Sequence, residues 1–146
     1  EDERKSILRL IAEYNPFLLD VEFNTIQKDK KLESYLKKSK SKLLVSWHDF
    51  KKTPNDSQLR SKLNKMKRFS NVVKIVTVAK NMSDASRLLS LYSIKSKIKL
   101  IAFSMGEEGK FSRILCLHLG SPFTYVSLGK PIAPGQFSVD EIRSLN

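Results

Sequence analysis

Apolar positions fall into two periods along the chain. Ile7, Leu8, Leu10 and Ile11 recur at helical spacing until Asn15-Pro16 stops the run. Phe17 to Phe23 is a short strand pattern that carries two acids, Asp20 and Glu22. Asn24 precedes a second helical stretch, Thr25 to Ser39, with Ile26, Leu32, Tyr35 and Leu36 directed to a core. Leu43 to Trp47 is a continuous apolar run of strand length that ends in His48-Asp49-Phe50. Thr53-Pro54-Asn55-Asp56 is turn and cap chemistry ahead of a helix marked by Leu59, Leu63 and Met66.

The second half repeats the rhythm. The pattern predicts a strand at Val72 to Val78, a helix at Ser83 to Tyr92 and a strand at Leu100 to Ser104. A flexible loop, Met105 to Lys110, leads to a short helix at Ser112 to Leu119, a last strand at Phe123 to Leu128 and a helix from Val139 to Leu145. Strands thus alternate with helices about every 25 residues, and crossovers of that length imply parallel neighbours. The expected fold class is α/β, either a (β/α) barrel to which the chain supplies about five βα units or an open parallel sheet.

At 146 residues and 16.7 kDa the chain is one domain or part of one. No apolar run approaches the roughly 20 residues needed to cross a bilayer. The charged start, Glu1-Asp2-Glu3-Arg4-Lys5, is unlike a secretion signal, and the lone Cys116 is the usage of a reducing compartment. The expected location is therefore cytoplasmic. A net charge of +12 raises nucleic acid as a partner. Most of the lysine, however, lies in Lys28 to Lys42 and Lys62 to Arg68, without interleaved stacking aromatics, so solvated helix faces are the better reading.

The candidate chemistry gathers at the C-terminal ends of the strands, where loops and helix starts converge in parallel α/β proteins. His48 ends an apolar strand beside Asp49, and an imidazole both takes and gives a proton near neutral pH. Lys74 is the one charged residue in Val72-Val73-Lys74-Ile75-Val76-Thr77-Val78, on the same two-residue face as three valines. An amine in such surroundings is a candidate Schiff-base nucleophile. Arg113, near a helix start, has the fork to clamp a carboxylate, and the stiff Lys130-to-Gln136 loop holds Gln136 over the same mouth. Asp20 and Glu22 are candidates to orient these groups. His118, between two leucines, reads as a packed helix residue. Two histidines and one cysteine, none at ligand spacing, give no metal site.

These blocks, in order, resemble the type I 3-dehydroquinate dehydratases. The resemblance runs through Leu19-Asp20-Val21-Glu22, Ser46-Trp47-His48-Asp49-Phe50-Lys51-Lys52-Thr53-Pro54, Val73-Lys74-Ile75, Ser104-Met105-Gly106, Phe111-Ser112-Arg113 and Ala133-Pro134-Gly135-Gln136. It implies an eight-stranded (β/α) barrel of TIM type, of which residues 1–146 form a single domain matching the later strands, with no counterpart of the first βα units. It further implies His48 as general acid/base and Lys74 as imine-forming lysine. Arg113 would hold the substrate carboxylate, Gln136 the ring hydroxyls, and Met105 and Phe50 would pack at the site. Asp20, Glu22 and Asp49 are possible supports. The implied reaction is loss of water from 3-dehydroquinate to give 3-dehydroshikimate, in the shikimate pathway, without a cofactor. The implied partners are that substrate and a second subunit or a segment that completes the barrel, and no membrane. Tyr125 stands where a phenylalanine is common, and Ile132 where bacterial members often have a serine. Competing readings are another imine-forming barrel enzyme such as an aldolase, a non-catalytic regulatory relative, and a nucleic-acid binder.

Overall fold

The computed structural model describes residues 2–144. Four parallel strands, β1 (Leu18–Glu22), β2 (Lys42–Asp49), β3 (Val72–Val78) and β4 (Lys99–Met105), lie side by side in the order β1-β2-β3-β4. The register pairs Glu22 with Ser46, Ser46 with Lys74, and Lys74 with Ile101. The helices are α1 (Asp2–Glu13), α2 (Phe23–Ile26), α3 (Lys30–Lys38), α4 (Asp56–Met66), α5 (Met82–Leu89), α6 (Ser112–His118) and α7 (Val139–Ser144). Side-chain caps start three of them. Asp29 accepts from Leu32 N at 2.9 Å, Asn55 forms a reciprocal box with Gln58, and Asn81 accepts from Asp84 N at 2.9 Å.

The two faces of the sheet have different work. On the outer face Val21, Val45, Val73, Ile75 and Ala102 pack under Leu32 and Leu36 of α3, Leu59 and Leu63 of α4 and Leu88 of α5. On the inner face Leu44, Val72, Val76, Ile101, Phe103 and Met105 meet Cys116, Phe111, Phe123 and Tyr125 from the C-terminal segment. The strands read as continuous apolar runs because helices and that segment cover them on both sides.

Several expected boundaries shift. Residues 25–39 form two helices rather than one, broken ahead of the Asp29 cap. Phe123 to Leu128 is not a fifth strand, so the chain supplies four strands instead of about five. Its described pairing is one bridge, Ser127 to Ser138. The reason is that the free edge of β4 is already satisfied by side chains. Tyr92 Oη accepts from Ala102 N at 2.7 Å and donates to Ala102 O at 3.2 Å, while Ser112 Oγ accepts from Ser104 N at 2.8 Å. Among the described residues no strand pairs with the other side of β1. His118 is exposed on α6 rather than packed. Leu145, the expected end of the last helix, lies outside the described residues. No described helix is long and apolar enough to cross a membrane.

Candidate active site

Alternation along the strands sends Asp20 and Glu22 of β1, Ser46 and His48 of β2, and Lys74 and Val76 of β3 to the inner face together. Lys74 is 8% exposed, and its ammonium donates to Asp20 Oδ2 at 2.9 Å. The face of Tyr125 covers it, with the ring centroid 4.5 Å from Nζ. Burial pushes the Tyr125 phenol upward, partly offset by the pull of Lys74.

His48 occupies the next strand, one residue pair nearer the C-terminal end. Its Nδ1 lies 2.9 Å from Glu22 Oε2, which also accepts weakly from Ser46 Oγ at 3.4 Å. That pairing orients the ring and leaves Nε2 for proton exchange. Phe50 stacks on the imidazole, with centroids 5.7 Å apart and planes at 11°.

Arg113 reaches the same space from the start of α6. It is only 3% exposed, its guanidinium sits 4.5 Å from the centroid of Phe103, and its Nε is buried without a partner. Burial lowers its proton affinity. Among the described residues no carboxylate pairs with it, and a cation so desolvated is costly until an anion meets it.

Gln136 closes the rim. Its Oε1 accepts from Ile132 N at 2.9 Å and Ala133 N at 3.3 Å, so the side-chain NH2 is the group left for a ligand. The loop is clipped to the end of β4 by Gly106 N donating to Pro134 O at 3.2 Å. Only glycine fits at 135: φ is +69°, and a Cβ there would stand 2.4 Å from Gly106 O.

His48, Phe50, Lys74, Met105, Arg113 and Gln136 therefore line one cavity of about 290 Å³, with Val76, Phe103, Tyr125, Ile132 and Ala133. Asp20 and Glu22 touch it through Lys74 and His48. Asp49 is not brought there. It points to the opposite face, where Oδ1 accepts from Lys51 N and Lys52 N and holds the turn. A larger hollow of about 550 Å³ lies on that side, lined by Trp47, Asp49 and Lys62 among others. It holds neither a paired histidine nor an unpaired buried cation, so chemistry favours the smaller cavity. Among the described residues no cluster of His, Cys, Asp or Glu could hold a metal. Phe103 and Tyr125 were not legible as site residues, although the two-residue period joins Phe103 to Met105 once β4 is in register with β3.

Comparison with known proteins bears on this geometry. The family model described as type I 3-dehydroquinase matches residues 1–145. A 3-dehydroquinate dehydratase of Pyrobaculum aerophilum is 39% identical over 96% of this chain and 45% of its own length. One of Pyrococcus abyssi is 38% identical over 98% of this chain and 65% of its own. Among solved structures, the 3-dehydroquinate dehydratase of Aquifex aeolicus superposes with a TM-score of 0.82 at 31% identity, covering 99% of this chain and 65% of that one. The type I enzyme of Clostridium difficile, solved with covalently modified comenic acid, gives 0.85 at 27% identity, covering 99% and 59%. The solved structures are TIM barrels, and the four-stranded sheet is part of such a barrel. The chain spans about half to two thirds of the length of these proteins.

Proposed function

The chain belongs to the type I 3-dehydroquinase family, and from that premise we propose that it carries the lysine half of a 3-dehydroquinate dehydratase, a lyase that removes water through an imine. The observation that carries this reading is the shared cavity: a buried lysine, an acid-paired histidine one strand away, and a buried arginine without an anion.

In this reading the substrate carboxylate meets Arg113 and supplies the missing counter-charge, while the NH2 of Gln136 donates to a ring hydroxyl. The substrate ketone is then presented to Lys74. The lysine first gives up a proton; its amine attacks the carbonyl carbon, and the resulting carbinolamine loses water to a protonated imine. That imine draws electrons from the neighbouring C–H, whose proton passes to His48 Nε2. The enamine expels the hydroxyl on the next carbon as water, with the proton returned by His48. Hydrolysis of the imine releases 3-dehydroshikimate and restores the amine. The nitrogen supplies the electron sink, so no cofactor enters. Glu22 holds the ring and balances the imidazolium formed midway.

The reading includes a second part. The sheet is completed by further βα units, either in the same polypeptide or from a second chain. Three features support it: the open side of β1, the exposed Phe17, Leu128 and Ile132 at 81%, 98% and 90%, and the extra length of the relatives.

Borohydride reduction in the presence of 3-dehydroquinate tests the first part. The expected product is a single covalent adduct on Lys74 by peptide mapping, with none in Lys74→Ala. The reading fails if an active preparation is trapped on another lysine or not at all. Supplying the first βα units of a relative in trans tests the second, with a rise in dehydratase activity expected.

A further inference from the structure

Lysines that the sequence assigns to scattered helix faces converge in the fold on one end of the sheet. In a parallel sheet every connection from a helix into the next strand lies at the N-terminal end, opposite the cavity. Residues 37–42 read Lys-Lys-Ser-Lys-Ser-Lys, residues 65–71 Lys-Met-Lys-Arg-Phe-Ser-Asn, and residues 94–99 Ile-Lys-Ser-Lys-Ile-Lys. They lead into β2, β3 and β4 respectively. Together they hold nine lysines and one arginine and no acid. All ten basic residues are exposed, and among them Lys37 is paired, with Glu33.

The three groups are neighbours. Ser70 Oγ donates to Leu43 O at the entry of β2, and Lys99 N donates to Asn71 O at 2.7 Å, which ties each connection to the one beside it. Strands stand roughly 4.8 Å apart, so the groups span about 10 Å, close to one screening length at physiological salt. Helix C-termini attract cations, which accounts for Lys37 and Lys38 in the last turn of α3 and Lys65 in that of α4. That attraction fades within the last turn. It leaves Lys40, Lys42, Lys67, Arg68, Lys95, Lys97 and Lys99 as like charges crowded together by the fold.

We propose that this end of the sheet is a sequence-independent docking face for the phosphate backbone of a nucleic acid, separate from the catalytic cavity. A protein partner would need an apolar centre. Here Met66 is buried and Phe69, Ile94 and Ile98 are half-buried against the core, so the exposed groups are mainly charged side chains and serines. Phe17 stands exposed at one edge with Lys42 Nζ 5.0 Å from its ring centroid, a single ring and not a stacking platform. Nine flexible point charges against one guanidinium suit phosphates rather than the bidentate reading of base edges. The stripe runs across three strands, as a backbone does.

Fluorescence anisotropy with a labelled mixed-sequence RNA of about 20 nucleotides, titrated across potassium chloride, tests the proposal. If about five phosphates are engaged, log affinity falls against log salt with a slope of about −3.5. The Lys40→Ala/Lys67→Ala/Lys97→Ala variant, one change per connection, is expected to bind at least about tenfold more weakly at about 50 mM salt and to flatten the slope by about 2. Lys28→Ala/Lys30→Ala/Lys31→Ala removes the same charge around the start of α3, at the cavity end of the sheet, and is expected to bind within about twofold of the parent. Thermal unfolding checks that both variants fold, and the three single substitutions stand in if the first does not. The proposal is overturned by no binding at low salt, by equal losses in both triple variants, or by strong preference for one sequence. Retention on phosphatidylserine vesicles that RNA does not compete away would assign the face to a membrane surface instead.

Discussion

Gly135→Ala separates the geometry of the rim from the stability of the fold. At φ +69° an alanine takes on about 1–2 kcal/mol of left-handed strain. Its Cβ would also stand 2.4 Å from Gly106 O, and ordinary contact begins at 3.4 Å, so the two loops must part by 3.4 − 2.4 = 1.0 Å. Gly106 cannot swing aside alone, because its N–H is bound to Pro134 O. The displacement therefore passes to Gln136 and to the end of β4 beside Met105. A misplacement of about 1 Å at a reacting site costs on the order of 10²-fold in rate. Thermal unfolding and the rate of borohydride-trapped imine formation with 3-dehydroquinate are the two readouts. The midpoint is expected to fall by about 2–8 °C and the trapping rate by about 10²-fold. Gly120→Ala is the control. Its φ of +107° brings comparable strain, but no atom lies within 4 Å, so stability alone should change. Trapping by Gly135→Ala within about threefold of the parent would refute the claim that this contact sets the rim.

Substitutions at three further positions probe the site and the sheet edge. Glu22→Gln is expected to lower turnover by roughly 10²-fold or more while adduct formation on Lys74 remains detectable, and normal turnover would remove Glu22 from any orienting role. Tyr125→Phe keeps the ring beside the Lys74 nitrogen and should trap imine at nearly the parent rate, whereas Tyr125→Leu should be several-fold slower; equal rates in the two variants would dismiss the ring as a partner for the charged nitrogen. Tyr92→Phe leaves the buried N–H of Ala102 unpaired and should cost about 1–3 kcal/mol in urea unfolding. Burial pushes the Tyr92 hydroxyl up to about 12, so the unfolded chain ionises first. Stability should decline as pH rises from about 10 towards that value, and this part of the alkaline decline should be absent in the variant.

The period of apolar residues by itself determined the α/β alternation, the four strands that form, and the face of β3 on which Lys74 lies. These are local properties: a strand's side chains alternate and a helix's recur, whatever the rest of the chain does. The His48 and Lys74 blocks were legible for the same reason, since each is a polar side chain within an apolar strand run, and Arg113 and Gln136 follow loops marked by glycine or proline. Tertiary structure decided what those side chains meet. Glu22 reaches His48, and Asp20 reaches Lys74, only through the parallel register of β1, β2 and β3. Asp49, adjacent to His48 in sequence, is lost to the site because neighbours on a strand point to opposite faces. Phe123 to Leu128 has the composition of a strand but not a partner. Tyr92 and Ser112, both distant in sequence from residues 123–128, had already taken the hydrogen bonds that β4 had to offer. The basic end of the sheet is of the same kind: three short lysine runs are unremarkable one at a time, and parallel pairing brings them to one edge because every return from a helix enters the sheet at the same end.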